Sequence, residues 1–245
     1  AGHSETFDPL AHRVNSCPRR EDRDATLIHP GDMPMLKLWG RATSMNVQKV
    51  VWALEEIGVP YERVDVGGRH GGLDKPAYIA LNPNQRIPTL QDDGVTVWES
   101  NAVVRYVAAR YSEGVLWDRD PGRRAQADQW MDWMQTTLGP DFLAVFYAVV
   151  RTPPQKRDKA AIPGLVKALG ERYAVLDRLL EGRPFLLGDR LSMADLINGA
   201  TLYRYYEMEI ERPALPRLAA WYERLKERPA YRKGVMVSFE ELRGR

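Results

Sequence analysis

The sequence predicts an α/β unit followed by an all-helical one. Between residues 36 and 111 the apolar pattern alternates between the two-residue period of strands and the i, i+3, i+4 spacing of helices, in the order βαβ and then ββα. A Pro/Gly-containing stretch at 117–122 interrupts the pattern, and beyond it every periodic run has helical spacing. These observations divide the chain into an extension over 1–34, an α/β domain over 35–112, a linker over 113–122 and a helical domain over 123–245.

Residues 1–34 show no sustained periodicity and are rich in charge, proline and small polar residues, so they read as a mobile extension. Their acidic residues make a poor transit peptide, and Met33 or Met35 could each begin the compact part. Leu36, Lys37, Leu38 and Trp39 read as a strand ended by Gly40. Val47, Val50, Val51 and Leu54 then line one face of a helix closed by Gly58 and Pro60. Residues 61–66 alternate as a second strand, and a Gly-rich loop at 67–72 leads to a short helical turn ending at Asn82-Pro83. A hairpin follows, with strands 89–91 and 95–98 around Asp93-Gly94, and a helix begins near Ser100. In the second domain, helices are expected over 124–138, around 143–151, along Leu165 to Leu180, from Ser192, and over 215–227 with Pro229 as the stop.

Bulk composition excludes several classes. Apolar residues make up 44% of the chain, enough for a substantial core, and the net charge is only +2. Neither a nucleic-acid surface nor an anionic-membrane surface is expected from so even a balance. No apolar run approaches the roughly 18 residues of a membrane span. The lone Cys17 rules out an internal disulfide framework and fits a reducing, cytoplasmic setting. Of 4 histidines, His3, His12 and His29 lie in the extension, leaving His70 alone in the body. Histidine-based triads and metal sites therefore have almost no raw material, and no metal is expected.

Three short constellations carry chemistry. Ser44-Met45-Asn46-Val47-Gln48-Lys49-Val50 places a hydroxyl at a helix start, beside free N–H groups and the positive end of a dipole. A thiol held there has its pKa lowered, and the hydroxyl can donate to the sulfur anion. Ser44 reads equally well as an ordinary helix cap. Arg86-Ile87-Pro88-Thr89 puts an X-Pro bond just before a strand; if cis, it turns the Ile87 backbone outward to pair with a peptide ligand. It could also be an edge-strand proline. Trp98-Glu99-Ser100-Asn101 offers a helix-start N–H and hydroxyl for a carboxylate and Glu99 for an ammonium, or else merely a cap.

Taken together, these residues resemble the glutathione transferase superfamily, in its serine-type bacterial, phi- or theta-like form. Leu81-Asn82-Pro83 through Pro88 and Glu99-Ser100 are similar to its glutathione-site signature. Met131-Asp132-Trp133, residues 150–154, Ser192-Met193-Ala194-Asp195 and Glu227-Arg228-Pro229-Ala230 extend the likeness over about 36–237. The resemblance implies a thioredoxin-like first domain, glutathione as co-substrate and a twofold homodimer. It implies Ser44 as thiolate stabiliser, Asn46 as a second donor, Ile87 with a cis Pro88 on the cysteinyl backbone, and Glu99 with Ser100 on the γ-glutamyl end. For the glycine carboxylate it leaves Lys75, Arg69, His70 and Arg86 as candidates.

Ser192-x-x-Asp195 is read as a folding cap, not a catalytic element. The pocket for a small electrophile is expected between the two domains, with Trp130, Trp133, Phe142, Tyr147 and Arg151 as linings, although each aromatic could equally be helical core. An inward Arg123, Arg124 or Arg151 would favour anionic electrophiles. Two other readings stay open: glutathione-dependent disulfide reduction using Thr43 and Asn46, and a non-catalytic glutathione-binding module.

Overall fold

The computed structural model describes residues 35–244. The expected extension over 1–34, with Cys17 and three of the histidines, lies outside the described residues.

Strand β1 (Leu36–Trp39) lies second in a four-stranded sheet of order β2-β1-β3-β4. Its neighbours are β2 (Tyr61–Val64), which is parallel, and β3 (Thr89–Asp92), which is antiparallel and pairs in turn with β4 (Val95–Trp98). β2 stops two residues before its expected end, at the approach to the Gly-rich loop. The pleat sends Leu36 and Leu38 into the core with Leu90, where they meet Val47, Val50 and Leu54 of helix α1 (Met45–Ile57) and Val103 and Val107 of α3 (Ser100–Tyr111). Trp39 points the other way, edge-on to Tyr78 of the short helix α2 (Pro76–Leu81) at 6.1 Å. The βαβ–ββα order is the one read from the periodicity, and the arrangement is the thioredoxin-like one that the resemblance implied.

The second domain is helical throughout, as expected, but its first two helices are one bent rod. Helix α4 (Pro121–Trp133) passes through a π turn (Met134–Leu138) into α5 (Gly139–Phe146) and a second π turn (Tyr147–Arg151). Two helices were expected, over 124–138 and around 143–151, with Gly139-Pro140 falling between them. Pro140 does lack an N–H, but the wider turn bypasses it: the Gly139 N–H donates to the Met134 carbonyl five residues back. A Cβ at Gly139 would lie 2.8 Å from that carbonyl oxygen, so the turn depends on glycine.

Helices α6 (Ile162–Leu179), α7 (Met193–Gly199), α8 (Leu202–Glu207), α9 (Pro216–Lys226) and α10 (Pro229–Gly234) complete the domain. Pro229 ends α9 as expected, yet it also opens α10, because a first-turn position needs no N–H donor. At the start of α7, the buried Asp195 carboxylate accepts from the Ser192 N–H (2.9 Å), the Ser192 hydroxyl (2.6 Å) and the Leu186 N–H (2.9 Å). It is a structural cap.

Helix α1 is clamped between the domains, and this fixes the site. Trp52 meets Tyr231 edge-on at 4.7 Å, and a Cβ on Gly234 would lie 2.9 Å from the Trp52 backbone nitrogen. Arg228 forks onto both Glu56 oxygens at 2.7 and 2.6 Å. The C-terminal half of α1 is thereby held against the helical domain. No helix among the described residues is long and apolar enough to cross a membrane.

Candidate active site

The loop from β1 to α1 makes the first wall of a cleft of about 800 Å³, within the usual range of ligand sites. Gly40 turns the chain at φ +150°, and a Cβ there would lie 2.4 Å from a Val47 methyl. Ser44 then stands at the N-cap position of α1 with extended backbone (φ −90°, ψ 120°), its carbonyl accepting from the Gln48 N–H at 2.9 Å. Its side chain makes no capping hydrogen bond. The hydroxyl of a residue in the cap position is thus uncommitted, half-buried and facing the cleft at the positive end of the helix. Thr43, one residue earlier, differs: it is buried, and its hydroxyl donates to Glu241.

Two further segments of the first domain complete this wall. The Tyr78 hydroxyl (2.6 Å) and the Asn82 amide (2.9 Å) both donate to the Arg86 carbonyl, and so fix the turn before Ile87. The Ile87–Pro88 peptide is cis, and no described residue hydrogen-bonds the Ile87 N–H or carbonyl. Where β4 meets α3, Glu99 adopts φ +70°, uncommon for a residue with a side chain, and lines the cleft beside the buried Ser100.

Below them lies Lys49, 1% exposed, its ammonium 3.6 Å from the Met134 sulfur. Burial pushes its pKa down to about 8, against the opposing pull of Glu99. No role was expected for it: on a helical wheel it is simply a polar residue on an apolar face.

The bent rod makes the second wall. Gln135, Gly139, Leu143, Tyr147 and Arg151 recur every fourth residue, and all five line the cleft. A strict α-helix would carry such a stripe around its axis, whereas the two wider π turns keep it facing one way. Arg204 of α8 closes the back of the cleft at 4% exposure.

Of the residues singled out from sequence, Ser44, Asn46, Arg86, Ile87, Pro88, Glu99, Ser100, Tyr147 and Arg151 lie on this one cleft. Others lie elsewhere. Lys75 is exposed at the N-cap of α2, and Arg69 and His70 are exposed in the Gly-rich loop, with Arg69 paired to Glu241 at 2.8 Å. Trp130 and Trp133 pack edge-on against each other at 5.3 Å and do not reach the cleft. They precede the first π turn, so the spacing that orients Tyr147 does not extend back to them. Phe142 is buried in the core, stacked on Phe146. Arg123 lies beside Asp118, and Arg124 sits over Trp117 and donates to the carbonyls of Asp118 and Arg119. Arg41 and Arg204 line the cleft although nothing in their local sequence marks them.

Known proteins agree with this architecture. Residues 34–109 match the family model for the glutathione S-transferase N-terminal domain, and residues 127–229 match that for the C-terminal domain. The glutathione S-transferase GstB of Escherichia coli is 41% identical over 83% of this chain and 99% of its own length. Glutathione S-transferase 4 of Zea mays is 31% identical over 82% of this chain and 92% of its own. Among solved structures, the theta class glutathione S-transferase of Xanthomonas axonopodis pv. citri with glutathione bound is 48% identical. It has a TM-score of 0.80 and covers 84% of this chain and 99% of that one. A thioredoxin-like domain and a helical domain, each matching its family model, and relatives matched over nearly their whole lengths lead to one assignment: the chain is an enzyme of the glutathione S-transferase family.

Proposed function

We propose that the cleft binds glutathione with its sulfur at Ser44, holds it as the thiolate, and directs it onto an electrophilic carbon. The observation that carries this reading is the Ser44 hydroxyl: it occupies a cap position, makes no capping bond, and faces the cleft at a helix N-terminus. Asn46, on the first turn of α1, is the second donor. The unpaired Ile87 N–H and carbonyl take the cysteinyl backbone as an added strand, and Glu99 with Ser100 takes the γ-glutamyl ammonium and carboxylate. Arg86 is the favoured partner of the glycine carboxylate, since Lys75 lies off the cleft. The electrophile lies against Leu143, Tyr147 and Arg151.

Lowering the thiol pKa by one unit takes about 1.4 kcal/mol of differential stabilisation. A helix end together with one hydroxyl donor supplies roughly one to several units. Ser44 donates a hydrogen bond and forms no covalent bond. Ser44→Ala is therefore expected to lower turnover of an aryl halide by roughly 10²–10³-fold, the usual cost of one anion-stabilising donor. Glutathione affinity should change little, because Ile87, Glu99 and Ser100 remain. Steady-state kinetics beside glutathione titration tests this, and full activity of Ser44→Ala across pH 6 to 8 refutes the assignment. Disulfide reduction through Thr43 is the less favoured reading, because that hydroxyl is engaged by Glu241. The reading includes a cytoplasmic homodimer, supported by the family's usual assembly and by the lone Cys17.

A further inference from the structure

Three guanidiniums line the cleft from three separate elements, near enough for Arg41 and Arg151 both to act on Arg204. Arg41 comes from the β1–α1 loop, Arg151 from the second π turn and Arg204 from α8. Arg204 is nearly inaccessible, and its Nη2 donates to the Thr43 carbonyl at 2.8 Å and to the Gln48 amide oxygen at 3.2 Å. Its guanidinium also lies 5.1 Å from the centre of the Phe146 ring and 5.8 Å from that of Phe239. None of these partners is an anion. The Nε atoms of both Arg151 and Arg204 are buried and without a hydrogen-bond partner among the described residues.

The groups facing the cluster do not neutralise it. Burial first, and then Arg41 and Arg151, lower the Arg204 pKa to about 9, with only Tyr203 acting the other way. Burial and then Arg151 lower that of Arg41, against Glu241 and Tyr147. Glu241 is itself engaged by Thr43 and Arg69. Among the described residues that line the cleft, Glu99 is the one carboxylate set against Arg41, Lys49, Arg86, Arg151 and Arg204. Glutathione with an ionised thiol is a dianion: two carboxylates and a sulfur anion against one ammonium. A surplus of positive charge remains once it is bound. Clustered, desolvated cations with idle N–H donors are costly unless an anion completes them.

Resting on the thiolate reading above, we propose that the electrophile of this enzyme carries a carboxylate, received by Arg151 and Arg41 against the fixed charge of Arg204. A planar carboxylate matches the paired N–H donors of a guanidinium edge. Leu143, Phe146 and Tyr147 give its carbon body an apolar bed. In the step served, the sulfur anion bonds to the carbon bearing a halide, and the carbon–halogen bond breaks with its electron pair leaving as halide. No oxidant, reductant or proton is required.

The test compares two acceptors with the same reacting centre, 4-chloro-3-nitrobenzoate and its neutral amide. Their glutathione conjugates are titrated into the full chain by calorimetry, beside glutathione alone. The carboxylate conjugate is expected to bind about tenfold more tightly than the amide conjugate, equivalent to 1.4 kcal/mol. In Arg151→Met that ratio should collapse toward unity, and Arg41→Met should reduce it in part. Equal affinities in the unaltered protein overturn the proposal. So does a preference that survives both substitutions, or a cluster that serves only the glycine carboxylate, which leaves the ratio at one. Glutathione that binds without any carboxylate preference defeats this inference alone. Failure of glutathione to bind defeats the thiolate reading with it.

Discussion

The two walls of the cleft are built by different means. On the first-domain side, backbone defines the site: the start of α1 at Ser44, the turn at Ile87-Pro88, and Glu99 at φ +70° before α3. Each is a junction between elements, held by short-range bonds such as those of Tyr78 and Asn82 to the Arg86 carbonyl. On the helical side, side chains define the site, projecting from one stripe of a rod whose facing depends on two π turns. A wall of junctions can present peptide donors and acceptors to an invariant tripeptide. A wall of side chains can be re-specified one residue at a time, which suits the partner that differs between enzymes of one chemistry.

Lys49 bridges the two walls, lying in α1 against Met134 of the rod, and its substitution should have the largest effect on stability. Its pKa in the folded chain, about 8, is below the ordinary 10.5. Below pH 8 both states carry the charge, and the folded state bears the cost of burying it. Between about pH 8 and 10.5 the unfolded chain holds a proton that the folded chain has released, so stability rises with pH in that window. The full difference is on the order of 3 kcal/mol at 1.4 kcal/mol per unit. Lys49→Met should therefore be more stable than the parent at pH 7, with the advantage shrinking as pH rises through that window. Urea denaturation at several pH values measures it, and a constant difference between the two proteins contradicts it.

Gly139→Ala tests the second wall alone, with a smaller effect. Alanine is the better helix former by roughly 1 kcal/mol, yet its Cβ would press on the Met134 carbonyl. The expected net loss is about 1–2 kcal/mol, as for modest overpacking. Tightening the π turn would swing Leu143, Tyr147 and Arg151 together, raising the KM for the acceptor roughly tenfold, or about 1.4 kcal/mol. The KM for glutathione should move far less. Equal changes in both would mean that the walls are not independent.

The same difference explains what could be read from the sequence. Ser44, Ile87-Pro88 and Glu99-Ser100 were legible because junction chemistry is local: a helix start, an X-Pro bond and a strand–helix corner each leave a mark in a few consecutive residues. The strand and helix order was legible from periodicity for the same reason. The continuity of the rod through Gly139-Pro140 was not legible, because those two residues break an α-helix but not a helix free to widen by one residue. Trp130 and Trp133, expected as linings, lie before the first π turn and off the cleft. Arg204 could not be found at all, since its position depends on how α8 docks behind the start of α1, a contact between residues 161 apart in the chain.

The most direct measurement is the acid–base titration of glutathione's own thiol while bound, followed by the ultraviolet absorbance of the thiolate, in the parent and in Ser44→Ala. If the Ser44 hydroxyl holds the sulfur anion, the bound thiol titrates roughly one to several units below the free one in the parent, and most of that displacement is lost in Ser44→Ala. A bound thiol with the same pKa in both proteins would contradict the account and return Ser44 to the ordinary role of a residue at a helix start.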